Sequence, residues 1–270
     1  MYEEPYRWVE AVGNRRQYLD EQFRQGSPVV ALSFREGVLL MTVSKGTPKL
    51  YEIYDRIGLG GMGHPADLEK LRFSLLEMAH LEGFNRSPSD VTGSRLMKHG
   101  LAPVIKQAFE EIYKAPYIVK VLLAEIGSKS GRDAFLTVNY DGTFEEVSRG
   151  AVLAATQAIQ REMMDALLTQ EALAEADLPR AFEVALLIWA IGSTRQGRED
   201  NVEVLESPGA GGGVSSASER KALVAHLREV LNDRTNVECA VLERKLPGTS
   251  KYRSVKADEI VSLMPADLKT

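Results

Sequence analysis

The feature that most constrains the fold of this sequence is a pair of short runs that are apolar at every position. Residues 29–32 (VVAL) and 38–41 (VLLM) flank the tight turn Arg35-Glu36-Gly37, which predicts an antiparallel hairpin. Strands without polar alternation are usually covered on both faces. The stretch 27–63, which continues into strands at 49–54 and 57–63, therefore predicts an internal sheet that the remaining chain must cover.

The segments outside this stretch predict helices and strands in separate groups. In chain order these are helices at 5–25, 65–82 and 89–112, strands at 117–126 and 135–140, helices at 152–167, 177–191 and 219–231, strands at 237–242 and 251–255, and a helix at 257–264. Gly83 should end the second helix, Ser89 or Asp90 should cap the third, and Pro103 should kink it near Ala102. Asp177 should cap the helix that begins there. This order favours layered sheets with segregated helices over alternating βαβ units.

Composition narrows the class of protein. The chain has 270 residues, 44% of them hydrophobic, which is enough for a substantial core. Its net charge of −5 does not favour binding to nucleic acid or an anionic membrane surface. No run approaches the roughly 18 apolar residues of a membrane span, and the start lacks a signal-peptide pattern. A cytoplasmic location is therefore expected.

Cysteine and histidine residues do not predict a metal site or a disulfide. Cys239 is the single cysteine and lies in a strand-like run that suits a buried thiol. His64, His80, His99 and His226 lack the spacing of a zinc site. We therefore expect no bound metal.

Two motifs carry alternative functions. The run from Gly58 to Gly63 matches G-x-G-x-x-G, which taken alone proposes a dinucleotide site. The next predicted strand starts near Tyr117, too far for a βαβ unit, so close packing of a strand end against a helix is the favoured interpretation. Separately, Gly26-Ser27 before a strand is where self-processing N-terminal-nucleophile hydrolases cleave, with Lys49 as the lysine that such chemistry needs.

Several segments together resemble α-type subunits of the 20S proteasome, in the bacterial, actinobacterial-like branch. The segments that carry the resemblance are VVALSFREGVLLMTV, the following K-L-Y-E-I-Y-D-R-I-G-x-x-x-x-G and D-L-E-K-L-R, then DVTGSRL at 90–96, VNYDGT at 138–143 and VECAVL at 237–242. The resemblance covers residues 5–201 and 237–264. As a set these motifs are specific, although each is weak alone.

The resemblance implies an α+β fold of the N-terminal-nucleophile hydrolase type, a four-layer αββα sandwich with two antiparallel sheets in a single domain, 1–270. It also implies a non-catalytic subunit in an outer ring of seven copies, stacked on a proteolytic β ring. The implied partners are further copies of the chain, proteasome β subunits, the C-terminal tails of a ring ATPase, and protein substrates that pass through. No cofactor is implied.

The resemblance also implies roles for individual residues. Ser27 falls at the nucleophile's position in β-type subunits, but Val43 falls where an aspartate would orient the lysine, and an apolar residue cannot do so. The predicted helix 5–25, uncleaved, would leave Ser27 without the free amine that serves as base. Lys49 is then expected in a pocket bordered by Gly26 and Gly63, between neighbouring subunits, where it pairs with an activator's terminal carboxylate.

Two regions depart from the family's pattern. Tyr6-Arg7-Trp8 is not the Tyr-Asp-Arg element that orders the gate in archaeal and eukaryotic α subunits, so the gate role of residues 1–7 stays open. Helix 5–25 is either an amphipathic surface helix or a partner-binding helix with Trp8 and Phe23 as anchors. Residues 207–231 form an insertion with a Gly/Ser loop and a helix, which either contacts a partner or is a solvated excursion, the latter being favoured.

Overall fold

The structure is a computed structural model that describes residues 5–44, 46–111, 113–127, 132–170, 172–199, 217–231 and 237–268. Within these ranges eight α-helices and ten strands follow one another along the chain. In chain order they are α1 Pro5–Phe23, β1 Val29–Phe34, β2 Gly37–Val43, β3 Leu50–Tyr54, β4 Ile57–Gly63, α2 Pro65–Asn85, α3 Gly93–Arg95, α4 Ala102–Glu110, β5 Val119–Glu125, β6 Ala134–Val138, β7 Phe144–Val147, β8 Gly150–Leu153, α5 Gln157–Leu168, α6 Leu178–Glu199, α7 Ala217–Val230, β9 Val237–Glu243, β10 Tyr252–Ser254 and α8 Ala257–Leu263.

The strands form two five-stranded antiparallel sheets. The first sheet has the order β10-β9-β2-β1-β8 and the second has the order β3-β4-β5-β6-β7. The predicted hairpin is confirmed, with Val29 opposite Thr42 and Phe34 opposite Gly37. Every residue of β2 is buried, as expected for a strand covered on both faces.

Three apolar clusters separate four layers. One lies between the two sheets, a second between the first sheet and helices α5 to α8, and a third between the second sheet and helices α2 to α4. The predicted αββα sandwich is therefore confirmed. No helix in the described ranges is long and apolar enough to cross a membrane.

The C-terminal half of α1 belongs to the core between the sheets. Leu19 and Phe23 are fully buried there, and Phe23 stacks on Tyr140 at a centroid distance of 5.8 Å. Arg15 donates to carbonyl groups at the end of α4, including Phe109 O at 2.7 Å. Phe23 is therefore an intramolecular anchor, which corrects its proposed role in partner binding, whereas Trp8 is 47% exposed.

Lys120 is a buried cation beneath α1. Its Nζ donates to the carbonyl oxygens of Ala154 at 2.9 Å and Ala155 at 2.8 Å, and lies 4.8 Å from the Phe23 ring centroid. Burial lowers the pKa of this ammonium to about 8, although the negative charge of Asp20 partly opposes the shift. The lysine thus links α1 to the β8–α5 connection.

Several predicted element boundaries were wrong. Helix α2 runs through Gly83 to Asn85. A glycine is needed inside the helix at this position because a Cβ on Gly83 would lie 2.3 Å from the Tyr54 hydroxyl. The N-cap of α3 is Thr92, whose side chain accepts from Arg95 N, and not Ser89 or Asp90. A π-helical segment, Leu96–Leu101, lies directly before Pro103, in the region where a kink was expected.

The region from residue 144 to 153 was also misjudged. It forms the short strands β7 and β8, although Val152 was assigned to a helix. Helix α5 begins only after Thr156, whose hydroxyl accepts from Ile159 N. The next predicted cap is confirmed, since Asp177 Oδ1 accepts from Arg180 N at 3.1 Å.

The helix of the predicted insertion packs on the body of the protein. Leu223, Leu227 and Leu231 are buried in the outer cluster of the first sheet, and Arg220 pairs with Glu183 of α6 at 2.5 Å. The preference for a solvated excursion was therefore wrong for residues 217–231. The Gly/Ser-rich part at 207–216 lies outside the described residues, as do residues 1–4 of the expected gate.

The glycines of β4 allow close approach on both faces of the second sheet. A Cβ on Gly60 would lie 2.7 Å from Val29 Cγ1 in the facing sheet. A Cβ on Gly61 would lie 2.3 Å from Leu68 Cδ1 of helix α2. Strand β4 is paired with β3 on one side and β5 on the other, so these glycines belong to a central strand and support the packing interpretation.

We predict that Gly61→Ala lowers the free energy of unfolding by about 1–3 kcal/mol, because the buried Leu68 side chain must move to make room. Gly13→Ala is the control, since a Cβ there meets nothing within 4 Å and should stabilise helix α1 by up to about 1 kcal/mol. Urea denaturation measures both variants. Equal stability of the two variants would contradict the packing argument.

We also predict that Lys120 makes the free energy of unfolding depend on pH. The unfolded chain keeps the lysine proton to about pH 10.4, whereas the folded protein releases it near pH 8. Stability should therefore rise with pH between these values, by about 3 kcal/mol at most from this group. Lys120→Met should remove that rise, measured by urea denaturation from pH 7 to pH 9.5, while Lys221→Met on the exposed surface should keep it.

Candidate functional site

The candidate site lies where α1 ends and β1 begins. Ser27 is 4% exposed, and its hydroxyl accepts a hydrogen bond from Trp189 Nε1 at 3.1 Å. Thr42 Oγ1 lies 3.4 Å from Ser27 Oγ and donates to Pro28 O at 2.7 Å. The Ser27 hydroxyl is therefore held in a buried hydrogen-bond network.

Helix α6 supplies the side chains that hold this segment, and sequence reasoning missed both of them. Besides Trp189, it contributes Gln196, whose Nε2 donates to Gly26 O at 2.7 Å and also reaches Arg24 O. The available signal was a polar residue at the end of a run that is apolar on all faces. Because such a run predicts a helix covered all round, its polar groups must find hydrogen-bond partners in other segments.

Val43 lies at the far end of the hairpin from the turn. Its side chain is 5% exposed and belongs to the cluster between the first sheet and the helices, together with Leu39 and Met41. An apolar side chain in this cluster has no oxygen with which to bind an ammonium group.

Lys49 immediately precedes β3 and is half-buried. Its backbone N–H donates to Glu238 Oε2 at 2.8 Å, and the next N–H, of Leu50, donates to the same oxygen at 3.3 Å. Glu238, which lies opposite Thr42 in β9, is thus the carboxylate that positions the start of β3. No local pattern in the sequence indicates this contact, because the two segments are 189 residues apart.

The fold brings Lys49, Gly26 and Gly63 to the same end of β4. Lys49 O accepts from Gly61 N at 3.0 Å, two residues before Gly63. A Cβ on Gly26 would lie 2.4 Å from Met62 Cε, so this glycine packs directly on the last residues of the strand. Gly63 has φ +131°, and a Cβ there would meet Ile118 O at 2.0 Å, so both backbone angle and space require glycine.

The histidine and cysteine residues that the sequence singled out lie in structural settings, as His64 and Cys239 show. The described ranges contain no group of three or more His, Cys, Asp or Glu side chains arranged to hold a metal ion. His64 Nδ1 accepts from Ala66 N and caps helix α2. Cys239 is fully buried, and burial raises the pKa of its thiol well above the ordinary value, which disfavours the reactive thiolate.

Comparison with known proteins agrees with this architecture. The proteasome subunit family matches residues 23–205. A proteasome subunit alpha of Actinosynnema mirum is 27% identical over 253 residues, which cover 93% of this chain and 83% of that protein. A proteasome subunit alpha of Saccharomonospora viridis is 27% identical over 245 residues, covering 90% and 82%. A proteasome subunit alpha of Jonesia denitrificans is 31% identical over 148 residues, covering 54% and 62%.

The family match spans the hairpin, both sheets' central strands and helices α2 to α6, and thus most of the sandwich that positions Ser27, Lys49 and the glycines. Since this match covers more than half of the sequence, the chain belongs to the proteasome subunit family, and within it is similar to the alpha subunits of actinobacteria.

Proposed function

We propose that this protein is a non-catalytic α-type subunit of a bacterial 20S proteasome, which forms the outer ring, stacks on a proteolytic β ring and controls substrate entry. The observation that carries the proposal is the packing of α1, which leads into Ser27 and β1, within the core between the sheets. Leu19 and Phe23 pack in the core between the sheets, and the Ser27 hydroxyl accepts a hydrogen bond from Trp189. A nucleophile of this class needs a free α-amine, and cleavage before Ser27 would supply it only by separating this packed helix from β1.

The similarity to actinobacterial alpha subunits supports the same proposal independently. On this proposal the partners are further copies of the chain in a seven-membered ring, β subunits, a ring ATPase and protein substrates in transit. The expected location is the cytoplasm. On this proposal the exposed N-terminal half of α1, including Trp8 and Val9, would face the entrance to the ring.

For activator docking we propose Lys49, with Gly26 and Gly63, as the binding residues. A single terminal carboxylate is suited to one lysine ammonium, and backbone N–H groups can complete its capture. The glycines support this role because Gly26 and Gly63 place backbone without side chains near the end of β4, where Gly61 N donates to Lys49 O. The docking pocket itself requires a second copy of the chain, as its other wall.

The competing function is a self-processing hydrolase that uses Ser27 as nucleophile and Lys49 as the activating lysine. It is supported by the position of Ser27 at the start of β1 and by its nearness to Thr42. Two observations argue against this function. Val43 is apolar, and the hydrogen bond from Trp189 occupies a lone pair of the Ser27 hydroxyl oxygen.

Mass spectrometry separates the two functions. The α-subunit proposal predicts an intact chain with no cleavage between Gly26 and Ser27, and a native mass corresponding to rings when the chain is co-expressed with a proteasome β subunit. Loss of residues 1–26 would favour the hydrolase. A monomer in both the separate and the co-expressed sample would contradict ring assembly.

Lys49→Ala tests the docking role. We expect it to abolish activator-stimulated degradation of an unfolded protein, because the terminal carboxylate loses its cation, while ring assembly by native mass stays unchanged. Lys221→Ala, an exposed lysine on α7, is the matched control and should retain full stimulation. Unchanged stimulation in Lys49→Ala rings would show that the docking assignment is wrong without affecting the assignment of the subunit type.

A further inference from the structure

A cavity of about 460 Å³ lies between the β6–β7 hairpin and helix α5, away from the Lys49 region. Its size is within the range of small-molecule sites. One wall is apolar and is formed by Val138, Leu153 and Met164. The buried Lys120 reaches the cavity from the interior, and the exposed residues at its rim come from α5 and β7.

The charged groups of the cavity are balanced but not paired with each other. Arg161 and Asp165 come from α5 and Glu145 comes from β7. Among the described residues, none of these three side chains has a hydrogen bond or an ion pair. Lys120 donates to two backbone carbonyl oxygens and lies 4.8 Å from the Phe23 ring centroid, so it contributes a positive charge to the interior side of the cavity.

This combination of charges selects one class of ligand. A simple anion such as phosphate would satisfy the two cations but would face Glu145 and Asp165 with like charge. A ligand that carries one positive and one negative group satisfies both pairs. An apolar group between them would cover the wall formed by Val138, Leu153 and Met164.

We propose that this cavity binds a free amino acid or dipeptide with an apolar side chain, with its carboxylate at Lys120 and Arg161 and its ammonium at Glu145 and Asp165. The side chain then packs on the apolar wall. This site is independent of the proposed docking of an activator, and its test uses binding to the whole chain, so the two can fail separately.

Binding is measured by isothermal titration calorimetry with leucine, leucyl-leucine, glycine, N-acetyl-leucine, leucinamide and inorganic phosphate. Leucine and leucyl-leucine should bind saturably and more tightly than glycine, which lacks the apolar group. N-acetyl-leucine lacks the ammonium and leucinamide lacks the carboxylate, so each should bind about fivefold more weakly, as expected when one solvent-screened ion pair is lost.

Two surface variants test which residues bind the carboxylate and the ammonium of the ligand. Arg161→Gln should weaken leucine about fivefold and should reduce the preference for leucine over leucinamide. Asp165→Asn should weaken leucine binding by a similar factor, but it should instead reduce the preference for leucine over N-acetyl-leucine. Lys221→Gln, which lies outside the cavity lining, should bind like the unaltered chain.

Three results would overturn the proposal. They are no saturable leucine binding at tens of millimolar, phosphate binding as tight as that of leucine, and leucine binding that neither variant alters. Because Arg161 and Asp165 are both exposed, loss of folding is not expected to obscure the comparison, and thermal denaturation of each variant checks this directly.

Discussion

The desolvation of the hairpin β1–β2 on both faces is the constraint on which the rest of the structure depends. Val38 and Leu40 point into the core between the sheets, whereas Leu39 and Met41 point into the core beneath the helices. One sheet face cannot bury both sets, so a second sheet and a helical layer must cover opposite sides. A register slip of one residue would exchange the two sets, so the pairing of Val29 with Thr42 also sets which side chains meet each layer.

The functional question arises at the open end of this hairpin. The chain enters β1 from α1, and α1 is held there by buried Leu19 and Phe23 and by Gln196, which binds carbonyl groups at the end of the helix. The same packing completes the core between the sheets and, on the proposed function, retains α1 in front of Ser27. Stability and the proposed absence of catalysis therefore have a common physical cause, the burial of α1.

Local sequence signals predicted much of the fold. The hairpin, β9, the capping of α6 by Asp177 and the two-sheet architecture all followed from periodicity, turn residues and the family resemblance. Gly83 lies inside helix α2 instead of ending it, because the Tyr54 hydroxyl occupies the space that a side chain at this position would need. Strand β8 was mistaken for a helix because a run of four apolar residues has no distinct period. Of the candidate site, Ser27, Lys49, Gly26 and Gly63 were identified from the sequence. Their partners Trp189, Gln196 and Glu238 were not.

What the sequence determined by itself is the set of strands and helices that must be buried, because apolar spacing and turn chemistry act over a few residues. It also marked where backbone without side chains was needed, as at Gly63. Only the tertiary structure decided which groups those segments contact. Trp189 donates a hydrogen bond to Ser27 from 162 residues away, and Lys120 lies under α1, where it donates to two backbone carbonyl oxygens. Such contacts depend on the packing of distant segments, where burial makes each polar group find a partner, and no local pattern encodes which partner that is.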